Sequence, residues 1–342
     1  MTTVATTHET PDPEGMQMKN LIHKGILAAL MAGAGLMLAP ASAQDFPAKP
    51  VRLVVGFPPG GLADILARVL ADKLPAVWNQ PVVVENRPGA SGVIAADTVA
   101  KASPDGHTLL VILTNHVVIA AVRPKLPYDA LADFAPVSLV GSSPLLLMAN
   151  PKLPANTLPE LIALAKAKPG VISYSTPGEG SVHHLSQELL NHAAGIRMIH
   201  VPYTGGAAAM MDAMSGVVDL NIGSPAQALQ QIESGKLKAL SYSGEKRAAL
   251  LPRVPTVAES AVPGFAAALW GGVLAPARVP KSLVARINAD IRQVMNLPEV
   301  RERMAKMGVE IEAGTPEEFD KFIRAELAKW SVVAKQAGVK GE

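Results

Sequence analysis

The stretch VRLVVGFPPGGLADILARVLADKL, residues 51–74, decides the fold. Its first residues are mostly apolar and β-branched, as in a buried strand, and Leu66, Leu70 and Leu74 then recur every four residues on one face of a helix. A glycine-rich turn joins the two elements. A strand that leads through such a turn into an amphipathic helix is typical of a doubly wound α/β domain.

The same alternation continues along the chain. Short strands between helices favour parallel sheets with helices on their faces, so we predict an α/β fold of two doubly wound α/β domains. The segment beyond Lys281 is predicted to be helical, with Pro298 and Pro316 in first turns. The other predicted strands are 82–85, 109–113, 171–175, 198–201 and 218–222, and the other predicted helices are 93–102, 158–168, 182–193 and 207–214.

Two extended apolar segments, 137–149 and 269–275, flank the second group of elements. If both are strands that cross between the domains, the second domain is an insertion, and the C-terminal helices return to the first domain over a hinge. The predicted organisation is an N-terminal extension with a signal peptide at 1–43, domain 1 at 44–145, domain 2 at 146–268, and a return to domain 1 at 269–342.

Composition excludes several classes of function. The 342 residues contain no cysteine, which rules out disulfides, thiolate catalysis and cysteine-ligated metal sites. The 31 Lys and Arg and 29 Asp and Glu residues are interspersed, and only 4% of residues are aromatic. We therefore expect no nucleic-acid partner, because that would need a basic face or a base-stacking platform.

The N-terminal region has the three parts of a secretory signal peptide. Lys19, His23 and Lys24 form a basic start, residues 25–39 are uncharged and mostly apolar, and Ala41-Ser42-Ala43 follows. The alternative is a membrane-spanning helix, but this apolar run is shorter than the roughly 20 residues that spanning requires. We predict cleavage after Ala43 and export to a bacterial periplasm.

The glycine-rich turn at 56–64 is the first candidate site. A helix that begins at the carboxyl end of a parallel strand presents unpaired N–H groups and a positive dipole to an anion. Gly60 and Gly61 have no side chains to block its approach. The alternative is a tight turn, with Asp64 placed only to favour the helix dipole.

The segment SYSTPGEGSVHHL, residues 173–185, occupies the equivalent position in the second domain. It supplies a second glycine-rich helix start with several hydroxyl groups. Ser181 is also a good N-cap residue, which is a structural reason for its presence. The third glycine of a dinucleotide-binding fingerprint is missing.

Two enzymatic or metal-binding alternatives are weaker. Ser181 with a nearby histidine could suggest a hydrolase, but no Gly-x-Ser-x-Gly elbow occurs. His184, Glu188 and His192 recur every four residues, as metal ligands on a helix would, but no fourth ligand accompanies them. We predict neither a catalytic residue nor a metal or other cofactor.

Seven motifs in order resemble the periplasmic receptors of tripartite tricarboxylate transporters, the Bug family. They are FPPGGxxD (57–64), VENRPGAxG (84–92), PDGxTLL (104–110), LPYD (126–129), GSxxHL (180–185), HVPY (200–203) and VPTxxE (254–259). The resemblance covers nearly the whole chain after Ala43. It implies a two-domain fold like that of type II periplasmic binding proteins.

The resemblance also implies that a ligand carboxylate is held between two facing loops by main-chain N–H groups and ordered water. In this chain those loops are Phe57–Asp64 and Ser175–Ser181, the two already selected from the residues. The expected ligand-binding residues on and beside these loops are Phe57, Pro59, Gly60, Gly61, Asp64, Ser175, Thr176, Gly178, Gly180, Ser181 and His184.

Four further residues lie at predicted strand ends and are expected to reach the cleft. Thr114 and Asn115 follow the third strand, and Tyr203 and Ser224 end strands of the second domain. A polar residue at a strand end can equally cap the next helix, so that alternative stays open.

Some positions depart from the family pattern. Leu62 stands where a hydroxyl residue is frequent, Thr204 where lysine is usual and His107 where tyrosine is usual. Ile222-Gly223 replaces a usual Phe-Asp, which removes a carboxylate at a strand end. The identity of the ligand therefore cannot be carried over from a relative.

The resemblance implies a receptor that binds a small organic carboxylate between its domains and delivers it to the membrane subunits of a tripartite tricarboxylate transporter. The sequence shows no sign of oligomerisation, so we expect a monomer. One alternative uses the same site in a ligand sensor for a two-component signalling system. Another is a periplasmic hydrolase with Ser181 and His184 as its reactive residues.

Overall fold

The computed structural model describes residues 46–123 and 125–338. The predicted signal peptide and its cleavage site at Ala43 lie outside these residues. Across the two described ranges, no helix combines the length and the apolar character needed to cross a bilayer.

Helices and strands alternate as the sequence predicts, with ends that differ by a few residues. The predicted leucine face of the first helix is buried, and Pro298 and Pro316 both begin helices. The strands are β1 Val51–Val55, β2 Val82–Asn86, β3 Thr108–Leu113, β4 Phe134–Pro144, β5 Leu146–Ala149, β6 Ser173–Thr176, β7 Ile199–Pro202, β8 Leu220–Gly223, β9 Lys238–Tyr242, β10 Ala268–Pro276 and β11 Glu310–Ile311. The helices are α1 Leu62–Trp78, α2 Val93–Ala100, α3 Asn115–Val122, α4 Leu158–Ala167, α5 Val182–Ala194, α6 Gly206–Ser215, α7 Pro225–Glu233, α8 Val257–Ser260, α9 Lys281–Met295, α10 Pro298–Lys306 and α11 Pro316–Gln336.

The first sheet has the strand order β11-β4-β10-β3-β1-β2. Its strands β1, β2 and β3 are parallel, as predicted, whereas β10 runs antiparallel to both β3 and β4. The sheet is therefore mixed rather than parallel. Hydrophobic periodicity reports which residues are buried but not the direction of a strand, so it could not reveal the reversal.

The second sheet has the order β7-β6-β8-β5-β9. Strands β6, β7 and β8 are parallel, and β5 is antiparallel to β8 and β9. Helices pack on both sheets, which gives two α/β domains as the sequence predicts. In both sheets the loop after a parallel strand leads into a helix, and ligands bind at this edge in open α/β folds.

The chain first changes sheet at Leu145, between β4 and β5. The predicted second crossing segment, 269–275, forms most of β10 and stays within the first sheet, so the return passage precedes it. The two passages are joined by the buried Ser243. Its hydroxyl accepts from Leu145 N–H and donates to the carbonyl of Ala267, and Ala267 N–H donates back to the Ser243 carbonyl.

The C-terminal helices cover the first sheet. Helix α9 packs against β4 and α1, and α11 packs against α3 and β4. Two of the largest fully buried side chains, Trp270 on β10 and Trp330 on α11, both donate their indole N–H to Glu326, at 2.8 and 2.9 Å. This shared carboxylate ties the last helix to the sheet.

Candidate functional site

A cavity of about 470 Å³ lies between the two sheets. Both domains contribute to its walls, and most of the side chains that line it are apolar. The lining residues are Gly60, Gly61, Leu62, Ile65, Ser143, Leu145, Pro177, His183, Gly206, Ala207, Met210, Asn221, Ile222, Gly223, Ser224, Ala226, Gln227, Leu269, Lys306, Met307 and Val309.

The first predicted loop reaches this cavity through Gly60 and Gly61. Gly60 has φ +92°, a left-handed conformation that favours glycine. Gly61 is the N-cap of α1 and supplies no capping side chain, so the N–H groups of the first turn are left uncovered by a cap. A Cβ atom on Gly61 would find no atom within 4 Å, which shows that the loop is open at this point.

Asp64 does not line the cavity; its side chain instead holds the loop through hydrogen bonds. The residue is 2% exposed, and its carboxylate accepts hydrogen bonds from Gly60 N–H at 2.9 Å, Arg68 Nε at 2.7 Å and Asn86 Nδ2 at 2.9 Å. Asn86 Nδ2 also donates to the carbonyl of Phe57. The Arg68 guanidinium, together with these N–H donors, lowers the pKa of Asp64 to about 2.

The opposite wall contains two further helix starts. Helix α6 begins at Gly206 after an N-cap glycine, Gly205, with φ +119°, and α7 begins at Pro225 after Ser224. Neither N-cap makes a side-chain hydrogen bond to its helix. Gly206 and Ser224 both line the cavity, so the N-terminal ends of α1, α6 and α7 are gathered around one space.

The second predicted loop is largely occupied by its own hydrogen bonds. Ser181 caps α5 by accepting from His184 N–H and donates its hydroxyl to the carbonyl of Gly178. Thr176 Oγ1 lies 2.7 Å from His200 Nε2. The Ser175 hydroxyl is buried against the carbonyls of Ala209 and Leu220. Of residues 175–181, Pro177 reaches the cavity lining.

His184 stabilises the same loop. Its Nδ1 accepts from Gly180 N–H at 3.1 Å, and its ring stacks on that of His200 with centroids 3.7 Å apart. Burial lowers the pKa of both His184 and His200 to about 4, so both rings are neutral at pH 7. The neighbouring His183 lines the cavity, and desolvation lowers its pKa to about 4 as well.

The sequence also predicts that Thr114, Asn115, Tyr203, Phe57 and Pro59 contact the ligand, but they do not line the cavity. Thr114 is buried and accepts from Trp270 N–H at 2.8 Å, and Asn115 follows it at the start of α3. Tyr203 donates to Asp212 at 2.6 Å, which raises the pKa of this tyrosine to about 12. Phe57 lies beside Gly92, and Pro59 is exposed. Three of the predicted residues, Gly60, Gly61 and Ser224, line the cavity itself.

Sequence reasoning missed much of the second wall. Gly205-Gly206 resembles Gly60-Gly61, because each is a glycine pair at the start of a helix that follows a strand, and this signal could have been found. Lys306, Met307 and Val309 come from the C-terminal region, far along the chain from Gly60. No local pattern indicates that such distant residues meet.

The geometry does not favour the hydrolase and metal alternatives. The Ser181 hydroxyl bonds to His184 through its main-chain N–H, while the imidazole itself bonds to Gly180. Glu188 accepts from Tyr174 and Asn191 instead of facing a metal with His184. In the part of the chain that the structure describes, no three His, Asp or Glu side chains form a group that could hold a metal ion.

Removal of the Asp64 carboxylate should loosen the first loop. Asp64→Ala leaves Gly60 N–H without its acceptor and removes one of the two acceptors of the Asn86 amide, so we expect a loss of about 2 kcal/mol in the free energy of unfolding and weaker anion binding. Because the folded-state pKa is lowered to about 2 from 3.8, the wild-type contribution is present above pH 4 and declines as pH falls towards 2.

Denaturant unfolding of wild type and Asp64→Ala between pH 7 and pH 2 measures the loss of stability and its dependence on pH. Asp72→Ala is the matched control, because Asp72 is an exposed carboxylate on the same helix. Equal losses of stability in the two variants would contradict the role assigned to Asp64.

Comparisons with known proteins agree with the fold. Residues 66–339 match the sequence profile of the tripartite tricarboxylate transporter family receptor, TctC. The chain is 38% identical over 327 residues to protein BugT of Bordetella pertussis, covering 95% of this chain and 99% of that protein.

Two solved structures of Rhodopseudomonas palustris proteins are also similar. Rpa4515, solved with adipate, is 33% identical with a TM-score of 0.73, covering 86% of this chain and 98% of that one. MatC, solved with bound malate, is 32% identical with a TM-score of 0.70, covering 84% and 99%. The family resemblance seen in the sequence is therefore confirmed, and the chain belongs to the tripartite tricarboxylate transporter receptor family, also called TctC or Bug, of periplasmic solute-binding proteins.

Proposed function

We propose that this protein captures a small organic carboxylate in the cavity between its two sheets. One observation carries the proposal: the N-terminal ends of α1, α6 and α7, drawn from both domains, line the same space. Helix N-termini attract anions through their free N–H groups and their dipoles. Among the lining residues that the structure describes, Lys306 is the only one that is charged at pH 7, and its charge is positive.

Main-chain groups suffice for useful affinity. A hydrogen bond to a charged group contributes about 1.5 to 3 kcal/mol, so four such bonds amount to roughly 6 to 12 kcal/mol before the ligand's loss of freedom is counted. Micromolar binding needs about 8 kcal/mol. An arginine clamp is therefore unnecessary, which fits the small residues at both glycine pairs.

The proposed function also has a cellular compartment, the periplasm, and a partner, the membrane subunits of a transporter. We propose that the chain is exported to the periplasm with cleavage after Ala43, and that domain 1 (44–145 and 269–342) and domain 2 (146–268) close over the ligand. The closed form then delivers the carboxylate to membrane transport subunits, without making or breaking a covalent bond. Adipate and malate in the related Rhodopseudomonas structures support a carboxylate as the ligand.

Thermal unfolding and calorimetric titration with a panel of mono-, di- and tricarboxylates test the binding step. A ligand at a hundred times its Kd should stabilise the protein by about 2.7 kcal/mol, a rise of roughly 5 °C or more in Tm. The uncharged amides of the same acids are the matched controls and should give no rise. Absence of a response to every anion of the panel would count decisively against the proposal.

A further inference from the structure

We infer that the cavity selects a carboxylate with an apolar body and no ammonium group. This inference rests on the proposed function, because it specifies the class of carboxylate that the same site takes. It comes from the apolar side chains that line the cavity, and from the hydrogen bonds and the ion pair that acidic side chains on α1, α6 and α10 already make.

The walls that would surround the body of the ligand are apolar on both sides. Leu62 and Ile65 project from α1 and Met210 from α6, while Leu145 lies at the passage from β4 to β5 and Leu269 lies near the start of β10. Hydroxyl or additional charged groups placed against these side chains would lose their hydration without gaining partners. Hydrocarbon or aromatic groups would instead gain by leaving water.

No carboxylate lines the cavity within residues 46–123 and 125–338, and three acidic groups on the helices that line it are already paired. Asp64 accepts from Gly60, Arg68 and Asn86. Asp212, on α6, accepts from Tyr203, and Glu302 forms an ion pair with Lys306 at 2.7 Å. An α-ammonium group in the cavity would therefore lose water without meeting an opposite charge.

A free neutral acceptor does not change this conclusion. The carbonyl oxygen of the Asn221 side chain is buried and has no hydrogen-bond partner. Ser175 sets the orientation of this amide, because the main-chain carbonyl and the hydroxyl of Ser175 both accept from Asn221 Nδ2. One neutral oxygen can accept from a ligand hydroxyl, but it cannot supply the counter-charge that an ammonium group needs.

Matched pairs of ligands test the exclusion of the ammonium group. Calorimetric titration of the purified protein compares 3-phenylpropanoate with phenylalanine and adipate with 2-aminoadipate, which differ only in the amino group. We expect the acid without the amino group to bind roughly 100-fold more tightly in at least one pair. An amino acid that binds as tightly as its partner, or more tightly, overturns the inference.

A third pair, hexanoate and gluconate, tests the apolar body on the same six-carbon chain. Hexanoate should bind at least roughly 10-fold more tightly, and preference for gluconate would overturn this part. These titrations also distinguish failure of the inference from failure of the proposed function. If amino acids or hydroxy acids are the ligands that bind, the proposed receptor function holds and the inferred ligand class is wrong. If no member of any pair binds, the proposed function and the inference fail together.

A single substitution should weaken the preference for the acid without the amino group. Gln227 lines the cavity near the start of α6, with Oε1 3.9 Å from the position of a Cβ on Gly206. Gln227→Glu adds a carboxylate with almost no change in shape, and should reduce the ratio of affinities within the amino pairs by roughly 10-fold or more. Gln230→Glu, on the same helix but outside the lining, is the control and should leave the ratio unchanged. An unchanged ratio in Gln227→Glu contradicts the inference.

Discussion

Gly61→Val is expected to abolish tight carboxylate binding while the protein remains folded. The valine side chain would stand at the N-cap of α1, over the N–H groups that the proposed site presents to the anion. Loss of two charge-assisted hydrogen bonds costs about 3 to 6 kcal/mol, so Kd should rise by roughly 100-fold or more. Calorimetric titration with whichever carboxylate the wild-type protein binds best measures the change.

The fold should tolerate this substitution for two reasons. Gly61 has φ −80° and ψ 172°, an extended conformation that valine adopts readily, and a Cβ there has no neighbour within 4 Å. The melting temperature without ligand should therefore stay within a few degrees of the wild-type value. Gly61→Ala provides a graded control with a smaller loss of affinity. Wild-type affinity in Gly61→Val would show that the start of α1 does not hold the anion.

Position 60 offers no equivalent test, although both glycines line the cavity. Gly60 has φ +92°, so any side chain there strains the backbone even though no atom obstructs it. A loss of binding in a Gly60 variant would combine strain in the loop with obstruction of the anion. The difference between these neighbouring glycines makes Gly61 the position that separates binding from folding.

The elements and the first loop could be predicted because their causes are local. The leucine face of α1 follows from helical period, and Pro298 and Pro316 begin helices because a first-turn N–H needs no partner. Gly60-Gly61 stands out because two residues without side chains, placed between a strand and a helix, leave the first turn of that helix open to a ligand. In each case the information lies within about ten residues.

The direction of polar side chains could not be predicted in the same way. Thr114 and Ser175 both stand at strand ends, where a side chain can face the cleft or turn inward. Thr114 turns to the main chain of Trp270, and Ser175 turns to the carbonyls of Ala209 and Leu220. These partners are distant in sequence, so only the assembled sheets determine the outcome.

The mixed character of the sheets has the same origin. Strand β10 inserts between β3 and β4 and runs antiparallel to both, because the chain re-enters the first domain from the second. Its apolar residues look the same whichever way the strand runs. The C-terminal residues of the cavity, including Met307, follow from this return and share its dependence on long-range assembly.

The strongest effect on stability is expected at Glu326, which connects helix α11 of the C-terminal region to strand β10 of the first sheet. The residue is 6% exposed, and its carboxylate accepts from the indole N–H of both Trp270 and Trp330 and pairs with Lys329. Glu326→Leu keeps a similar volume but leaves two buried N–H donors without an acceptor. We expect the free energy of unfolding to fall by about 3 to 5 kcal/mol, because each unsatisfied buried donor costs about 1 to 3 kcal/mol.

Two further variants separate the sources of this loss. Glu326→Gln retains a carbonyl oxygen for the indoles and removes only the charge, so its loss should be about half as large or less. Lys329→Met removes the partner of the ion pair and keeps both indole bonds, and because the lysine is partly exposed its loss should cost about 1 kcal/mol or less. The expected order of stability is therefore wild type, Lys329→Met, Glu326→Gln and Glu326→Leu.

Urea unfolding followed by circular dichroism measures the series without relying on the fluorescence of the tryptophans being perturbed. If Glu326→Leu unfolds at the wild-type urea midpoint, the carboxylate is not what secures α11 to β10. If Glu326→Gln is as unstable as Glu326→Leu, the negative charge matters more than the acceptor for the two indoles. The order proposed here requires the acceptor to dominate, because a buried N–H without a partner has no water to replace it.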